Sequence, residues 1–287
     1  MRYKIALYSL TLLVGSFLLM VNLYGLNRDI RVSDFSDQYL RFPNDQPANF
    51  KDTLFELIRL KDESDIQYAS RITHSVAKGV SHVEWLDFPA QQFNQLIPVW
   101  ENYFLYLMGK FSSIPEYERY HYANYYKSLE RGVGLCGDVS MIISQLLDKQ
   151  NIDNKILTFP GHVVVTATFE NGRQYILDAD FGVVVPYSLA EIASNNTDIA
   201  QLYLDAGYPR SDFNFFKNMY QQNFTEWNGV QHFITKKYYF EKIAYWLKWP
   251  VPLFMILIAV VMLHKIRASK HFTNKGNLQT GAVKNIA

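Results

Sequence analysis

RGVGLCGDVSMIISQLLDKQ, residues 131–150, is the segment that decides the fold. Gly132, Gly134 and Gly137 cluster around Cys136, the only cysteine in 287 residues. Beyond them Met141, Ile142, Ile143, Leu146 and Leu147 recur at helical spacing. The pattern predicts a glycine-rich loop that delivers Cys136 to the start of an amphipathic helix. Such a start favours a thiolate, because unpaired N–H groups and the helix dipole stabilise negative charge there. The same amides can hold an oxyanion, and Gly134 and Gly137 would let backbone approach a substrate closely. A buried, inert thiol is the commoner fate of a free cysteine, so the neighbours of Cys136 have to decide. Asp138 reads as a first-turn carboxylate favoured by the dipole and not as a catalytic group, since an anion beside the thiol opposes its ionisation.

Downstream, His162–Phe169 alternates and is β-branched, Asn171-Gly172 signals a hairpin, and Arg173–Asp180 returns as a second strand. Val183–Val185 reads as a third short strand ending at Pro186. A thiol nucleophile needs a base from another element and an acid to orient that base. His162 opens the first strand, and Asp178 and Asp180 lie on the second. A three-residue loop, Glu170-Asn171-Gly172, pairs Phe169 with Arg173. It sets Asp180 across from His162, with Asp178 one pair along on the same face. A two-residue turn would send both acids to the opposite face, so a Cys-His-Asp site requires the longer loop or an equivalent bulge. Taken singly, His162 is a hydrogen-bonded strand histidine and each aspartate a turn cap; only their combination with Cys136 points to chemistry.

Gly134-Leu135-Cys136-Gly137-Asp138 at a helix start, with a histidine-led strand and Leu177-Asp178 sixteen residues after that histidine, resembles the bacterial transglutaminase-like superfamily. Its members share a papain-like cysteine core. The resemblance spans Arg131 to Pro186, and loosely the helix expected at Ser64–His82. It implies an α+β fold in which the cysteine-bearing helix packs on an antiparallel sheet. It also implies Cys136 as nucleophile, His162 as general base, and Asp178, in preference to Asp180, as orienting acid. The activity implied is acyl transfer, or hydrolysis of an amide or ester, through a thioester on a protein or peptide substrate. The alternative is an inert binding or assembly module of the same fold in a cell-envelope complex. Two departures bear on the substrate side: Val163-Val164-Val165 stands where many members carry a tryptophan, and Ala179 where many carry a proline. His74, His82, His121 and His232 show no metal-ligand spacing, and neither metal nor cofactor is expected.

Composition frames this core. The chain is 49% hydrophobic and 16% aromatic, which excludes a largely disordered protein. All 27 acids lie in residues 27–242 with 20 of the 28 basic residues, a net charge of −7 for that segment. An acidic body with basic ends argues against nucleic-acid binding. Ile5–Leu26 is a run of 22 residues without charge, long enough to cross a bilayer. It exceeds the apolar region of a signal peptide and lacks a small-residue cleavage site. Pro250–Leu263 is only 14 residues. It reaches spanning length by including Ile243–Trp249, with Lys248 snorkelling and Tyr245, Trp246 and Trp249 as an interfacial belt. A buried or surface-lying helix is the alternative there. Basic residues outside both runs place both termini in the cytoplasm and the main domain in a periplasm or outside the cell, anchored in the inner (plasma) membrane.

The organisation expected is a cytoplasmic N-terminus (1–4), an anchor (5–26), a stalk (27–50), a domain (51–242) with its core at 131–186, a second transmembrane helix (243–263) and a basic cytoplasmic tail (264–287). Within the domain, Lys51–Leu60, Ser64–His82 and Gln92–Phe111 carry helical spacing, the second capped by Ser64 and the third broken by Pro98. The tyrosines of Tyr117–Tyr126 read as packing residues. Ser188 with Glu191 forms a capping box, and Thr197–Ala206 reads as a helix closed by Gly207. Residues 213–239 resist assignment. Asn195-Asn196-Thr197 and Asn223-Phe224-Thr225 match the glycosylation pattern, which matters only in a eukaryote.

Overall fold

The computed structural model describes residues 2–31, 36–41, 45–194 and 198–283, so the triplet at 195–197 lies outside the described residues. In chain order the helices are α1 (Arg2–Gly25), α2 (Phe50–Glu56), α3 (Asp65–Gly79), α4 (Tyr103–Phe111), α5 (Pro115–Glu118), α6 (Tyr125–Arg131), α7 (Cys136–Asp148), α8 (Leu189–Ser194), α9 (Ile199–Asp205), α10 (Phe213–Met219), α11 (Gly229–Phe233), α12 (Thr235–Leu247) and α13 (Pro250–Val283). The strands are β1 (Ser81–His82), β2 (Val133–Gly134), β3 (Asp153–Phe159), β4 (His162–Thr168), β5 (Gln174–Asp178), β6 (Val183–Val185) and β7 (Thr225–Trp227). The chain divides into two compact units: Asp29–Ile97 with Met108–Glu241, and Met1–Arg28 with Pro98–Leu107 and Lys242–Ala287.

The first unit is built on a five-stranded antiparallel sheet in the order β6-β5-β4-β3-β7. Successive side chains of a strand face opposite ways, and here both faces are buried. Ile156, Val165, Ala167 and Leu177 meet Ile142 and Leu146 of α7 and Ile72 and Val76 of α3. Leu157, Val164, Ile176 and Val185 meet Ile199 and Tyr203 of α9 and Phe216 of α10. Burial on two sides explains the unbroken Val163-Val164-Val165 run, each fully buried aliphatic side chain contributing about 1.5–3 kcal/mol.

Two turns set the register. Pro160-Gly161, with Gly161 at φ +80, joins β3 to β4 and pairs Phe159 with His162. Proline fixes the first turn position and glycine takes the left-handed second, so His162 sits at the sheet's end. The β4–β5 connection is the three-residue loop: Thr168 pairs with Gln174, the Phe169 amide donates to the Arg173 carbonyl at 2.9 Å, and Gly172 takes φ +75.

Several local expectations hold and others do not. Ser64 caps α3 reciprocally with Gln67, and Ser188 pairs in the same way with Glu191 ahead of α8. The helix expected across Gln92–Phe111 starts only at Tyr103. Pro98 prevents one helix from running through the whole stretch, and the Asn102 side chain accepts from the amides of Phe104 and Leu105 at 3.0 and 3.3 Å, capping the start at Tyr103. β3 follows α7 where no strand was anticipated, and 213–239 resolves into α10, β7, α11 and the start of α12. Part of the expected stalk is docked: Ile30 is buried, and the Arg31 guanidinium donates to the carbonyls of Ala48, Leu129 and Glu130.

In the second unit α1 and α13 run antiparallel. Gly15 lies against Pro252, Met255 and Ile256, and the Asn22 amide donates to the Lys248 carbonyl at 2.5 Å. Arg2–Gly25 and Pro250–Ser269 are each long and apolar enough to cross a membrane. The second stretch departs from the expected 243–263. Pro250, well suited to a first helical turn, separates α12 from α13, and the candidate stretch runs from Pro250 to Ser269. The Lys248 ammonium donates to the Glu101 carbonyl at 2.7 Å.

Candidate active site

Cys136 is the first residue of α7, half-buried, and three contacts fix the helix start. β1 pairs in parallel with β2 just ahead of it, setting His82 beside Gly134. The Ser140 hydroxyl donates to the Val163 carbonyl at 2.9 Å, tying the helix to the first turn of β4. Asp138 folds back to accept from the Leu135 amide at 2.9 Å and from His121 Nδ1 at 2.8 Å, with Arg131 Nη2 at 3.7 Å. Gly134 is required by this fold-back: a Cβ there would stand within about 3 Å of the Asp138 carboxyl. Gly134 therefore makes room for Asp138. Asp138 is the first-turn carboxylate of α7 that was expected, and it is fully buried. Burial raises its pKa, but the charge and hydrogen bond of His121 and the charge of Arg131 outweigh that and hold it below the usual carboxylate value.

His162 is 3% exposed, and its Nε2 lies 2.8 Å from Asp178 Oδ2. With Nε2 on Asp178, Nδ1 is the ring nitrogen left for the Cys136 sulfur, whose influence on the ring adds to that of Asp178. Burial disfavours the imidazolium. The charge of Asp178, its hydrogen bond and the bond to Cys136 prevail, raising the His162 pKa well above the ordinary value. The ring lies between Phe181 and Phe215, at centroid distances of 5.5 and 6.1 Å. Among the described residues the N–H groups of Cys136 and Gly137 have no backbone acceptor, and the Phe233 ring edge lies about one van der Waals contact from where a Cβ on Gly137 would stand.

Cys136, His162 and Asp178 are thus brought together, and Asp180 is not part of the group. β5 ends at Asp178, whose Oδ1 accepts from the Asp180 amide at 3.2 Å, bending the chain away from the position across from His162. Asp180 turns instead to His82 Nδ1 at 2.7 Å and Arg41 Nη1 at 2.9 Å. Burial raises the Asp180 pKa, but the His82 bond and charge, with His162 and Arg41, hold it below the ordinary value. Sequence reading missed this second histidine–carboxylate couple, along with two buried tyrosines on Asp178: Tyr203 at 2.7 Å and Tyr220 at 3.4 Å. Their partners are 98, 25 and 42 residues away in the chain, too far for any spacing signal. Among the described residues no group of three or more His, Cys, Asp or Glu side chains converges as metal ligands.

Asp45 borders the couple. Burial, opposed by a backbone bond from His82 and reinforced by the charge of Asp180, pushes its pKa up to about 6. An acid that holds its proton more tightly folded than unfolded (about 3.9) costs stability once pH rises through its folded value. Asp45→Asn is expected to stabilise the protein by about 1 kcal/mol at pH 7.5, screening by solvent included, with the gain vanishing toward pH 4. Thermal unfolding of the full chain in detergent at both pH values checks this.

No protein-family model, curated protein or solved structure matches this chain.

Proposed function

We propose that this chain is a membrane-anchored cysteine enzyme of transglutaminase-like type that transfers or hydrolyses acyl groups. The observation that carries the reading is the succession from the half-buried Cys136 at the start of α7 to the buried His162 and Asp178. In the ion-pair form of this couple the imidazole carries the proton and the sulfur is the anionic partner. The thiolate attacks an amide or ester carbonyl carbon, and the negative charge gathers on oxygen, which the N–H groups of Cys136 and Gly137 are placed to hold. The imidazolium gives its proton to the departing amine or alcohol as the carbonyl–heteroatom bond breaks, leaving a thioester on Cys136. Water or an amine then attacks, His162 takes the incoming proton, and the thiolate is regenerated. Asp178 keeps the ring oriented and stabilises its charge throughout.

The basic ends support a placement with both termini in the cytoplasm and the acidic body in the periplasm or outside the cell. Antiparallel packing of α1 on α13 agrees with termini on one side. Incubating the detergent-solubilised chain with a p-nitrophenyl ester tests the chemistry. We expect p-nitrophenol release and an acyl adduct on Cys136 that hydroxylamine removes, both lost in Cys136→Ala. Turnover that survives in Cys136→Ala overturns the reading.

A further inference from the structure

Tyr203 and Tyr220 have no step in the sequence above, yet both are buried with their hydroxyls on the orienting acid. The Tyr203 hydroxyl donates to Asp178 Oδ2 at 2.7 Å, the same oxygen that meets His162 Nε2 at 2.8 Å. The two phenol oxygens are 2.6 Å apart, and Tyr220 also reaches Oδ2 at 3.4 Å. A hydroxyl carries one proton. If Tyr203 donates to the carboxylate, its oxygen is left to accept from Tyr220, and the donors run in one direction toward Asp178. Both rings are held firmly: Tyr203 stacks on Phe216 at 4.2 Å, and Tyr220 meets the edge of Phe159 at 5.5 Å. Burial, together with the charge of Asp178, keeps both phenols protonated and therefore available as donors.

We propose that Tyr203, backed by Tyr220, is a positioning residue that fixes Asp178 and tempers its hold on the His162 proton. The inference rests on the catalytic reading above. A carboxylate oxygen that accepts from a phenol has less density to offer an imidazolium, so each donor eases release of the proton from the histidine–carboxylate couple. Removing a donor makes that couple hold its proton to higher pH, while a residue that only filled space would leave the proton's release unchanged.

Iodoacetamide reads this directly, because Cys136 is the only cysteine of the chain. The full chain in detergent is alkylated across pH 5 to 11. Wild type is expected to react at a flat rate through neutral pH and to change rate at an alkaline limb where His162 loses its proton. Tyr203→Phe keeps the stacked ring and is expected to move that limb upward by about one pH unit, the size of one hydrogen bond to a charged group. Tyr220→Phe should move it the same way by less. A Tyr203→Phe limb that coincides with wild type, or a uniform loss of rate without a shift, overturns the inference and leaves the catalytic reading standing. A wild-type rate that climbs like a free thiol around pH 8.5 overturns the catalytic reading itself. Should near-ultraviolet circular dichroism show that Tyr203→Phe has lost its fold, Tyr220→Phe decides alone: an upward shift supports the inference and none overturns it.

Discussion

His162→Ala is expected to slow alkylation of Cys136 by iodoacetamide at pH 6 by about 100-fold. In the native protein the imidazole is buried, bonded to both Cys136 and Asp178, and protonated well beyond its ordinary range. Without the imidazolium, a thiol near the free value of about 8.5 is ionised to only about 0.3% at pH 6. The helix start recovers part of that, typically a fraction of a unit to one unit. Any acyl turnover should fall further, since the leaving group loses its proton donor as well. An alkylation rate within threefold of wild type at pH 6 would show that His162 does not govern the thiol.

The largest effect on stability is expected from Asp138→Ala, a loss of about 3–5 kcal/mol in reversible unfolding. Arg131 and Asp138 are both fully buried, the guanidinium lying over Trp85 at 4.5 Å and Tyr122 at 5.0 Å. Arg131 also donates to the carbonyls of Tyr120 and Val133 at 2.7 and 3.3 Å. Alanine at 138 removes the carboxylate beside that cation and the acceptor of the Leu135 amide. Asp138→Asn keeps the cap geometry and should cost less. The acid has a depressed pKa when folded, so its contribution is present above its unfolded value of about 4 and is lost as pH falls through the folded one. The gap between wild type and variant should therefore close in strong acid. A difference below 1 kcal/mol at pH 7 would mean that the buried pair does not support the helix start.

Much of the core was legible because its signals are local. The glycines around Cys136, the β-branched alternation after His162 and the Asn171-Gly172 turn each act within a few residues, and they placed α7, β4 and β5. The loop length followed from requiring acid and histidine on one face, and the observed register has that loop. What escaped depends on partners distant in the chain. Asp180 left the strand because the Asp178 side chain captures its amide, a bend that alternation does not encode. Asp138 was legible as a first-turn carboxylate, but not its burial under Arg131 and His121. β7 is a three-residue edge strand among aromatic residues, too short for a period to appear. The stalk was read from polar composition, yet Arg31 and Arg41 dock through hydrogen bonds that composition cannot reveal.

The central claim is that Cys136 stands as a thiolate beside a protonated His162. The difference in ultraviolet absorbance near 240 nm between wild type and Cys136→Ala, followed from pH 4 to 10, isolates this one sulfur. A thiolate band already present at pH 6 is the expected result. A band that emerges only around pH 8.5, as for a free thiol, would contradict the account and favour an inert module built on the same helix and sheet.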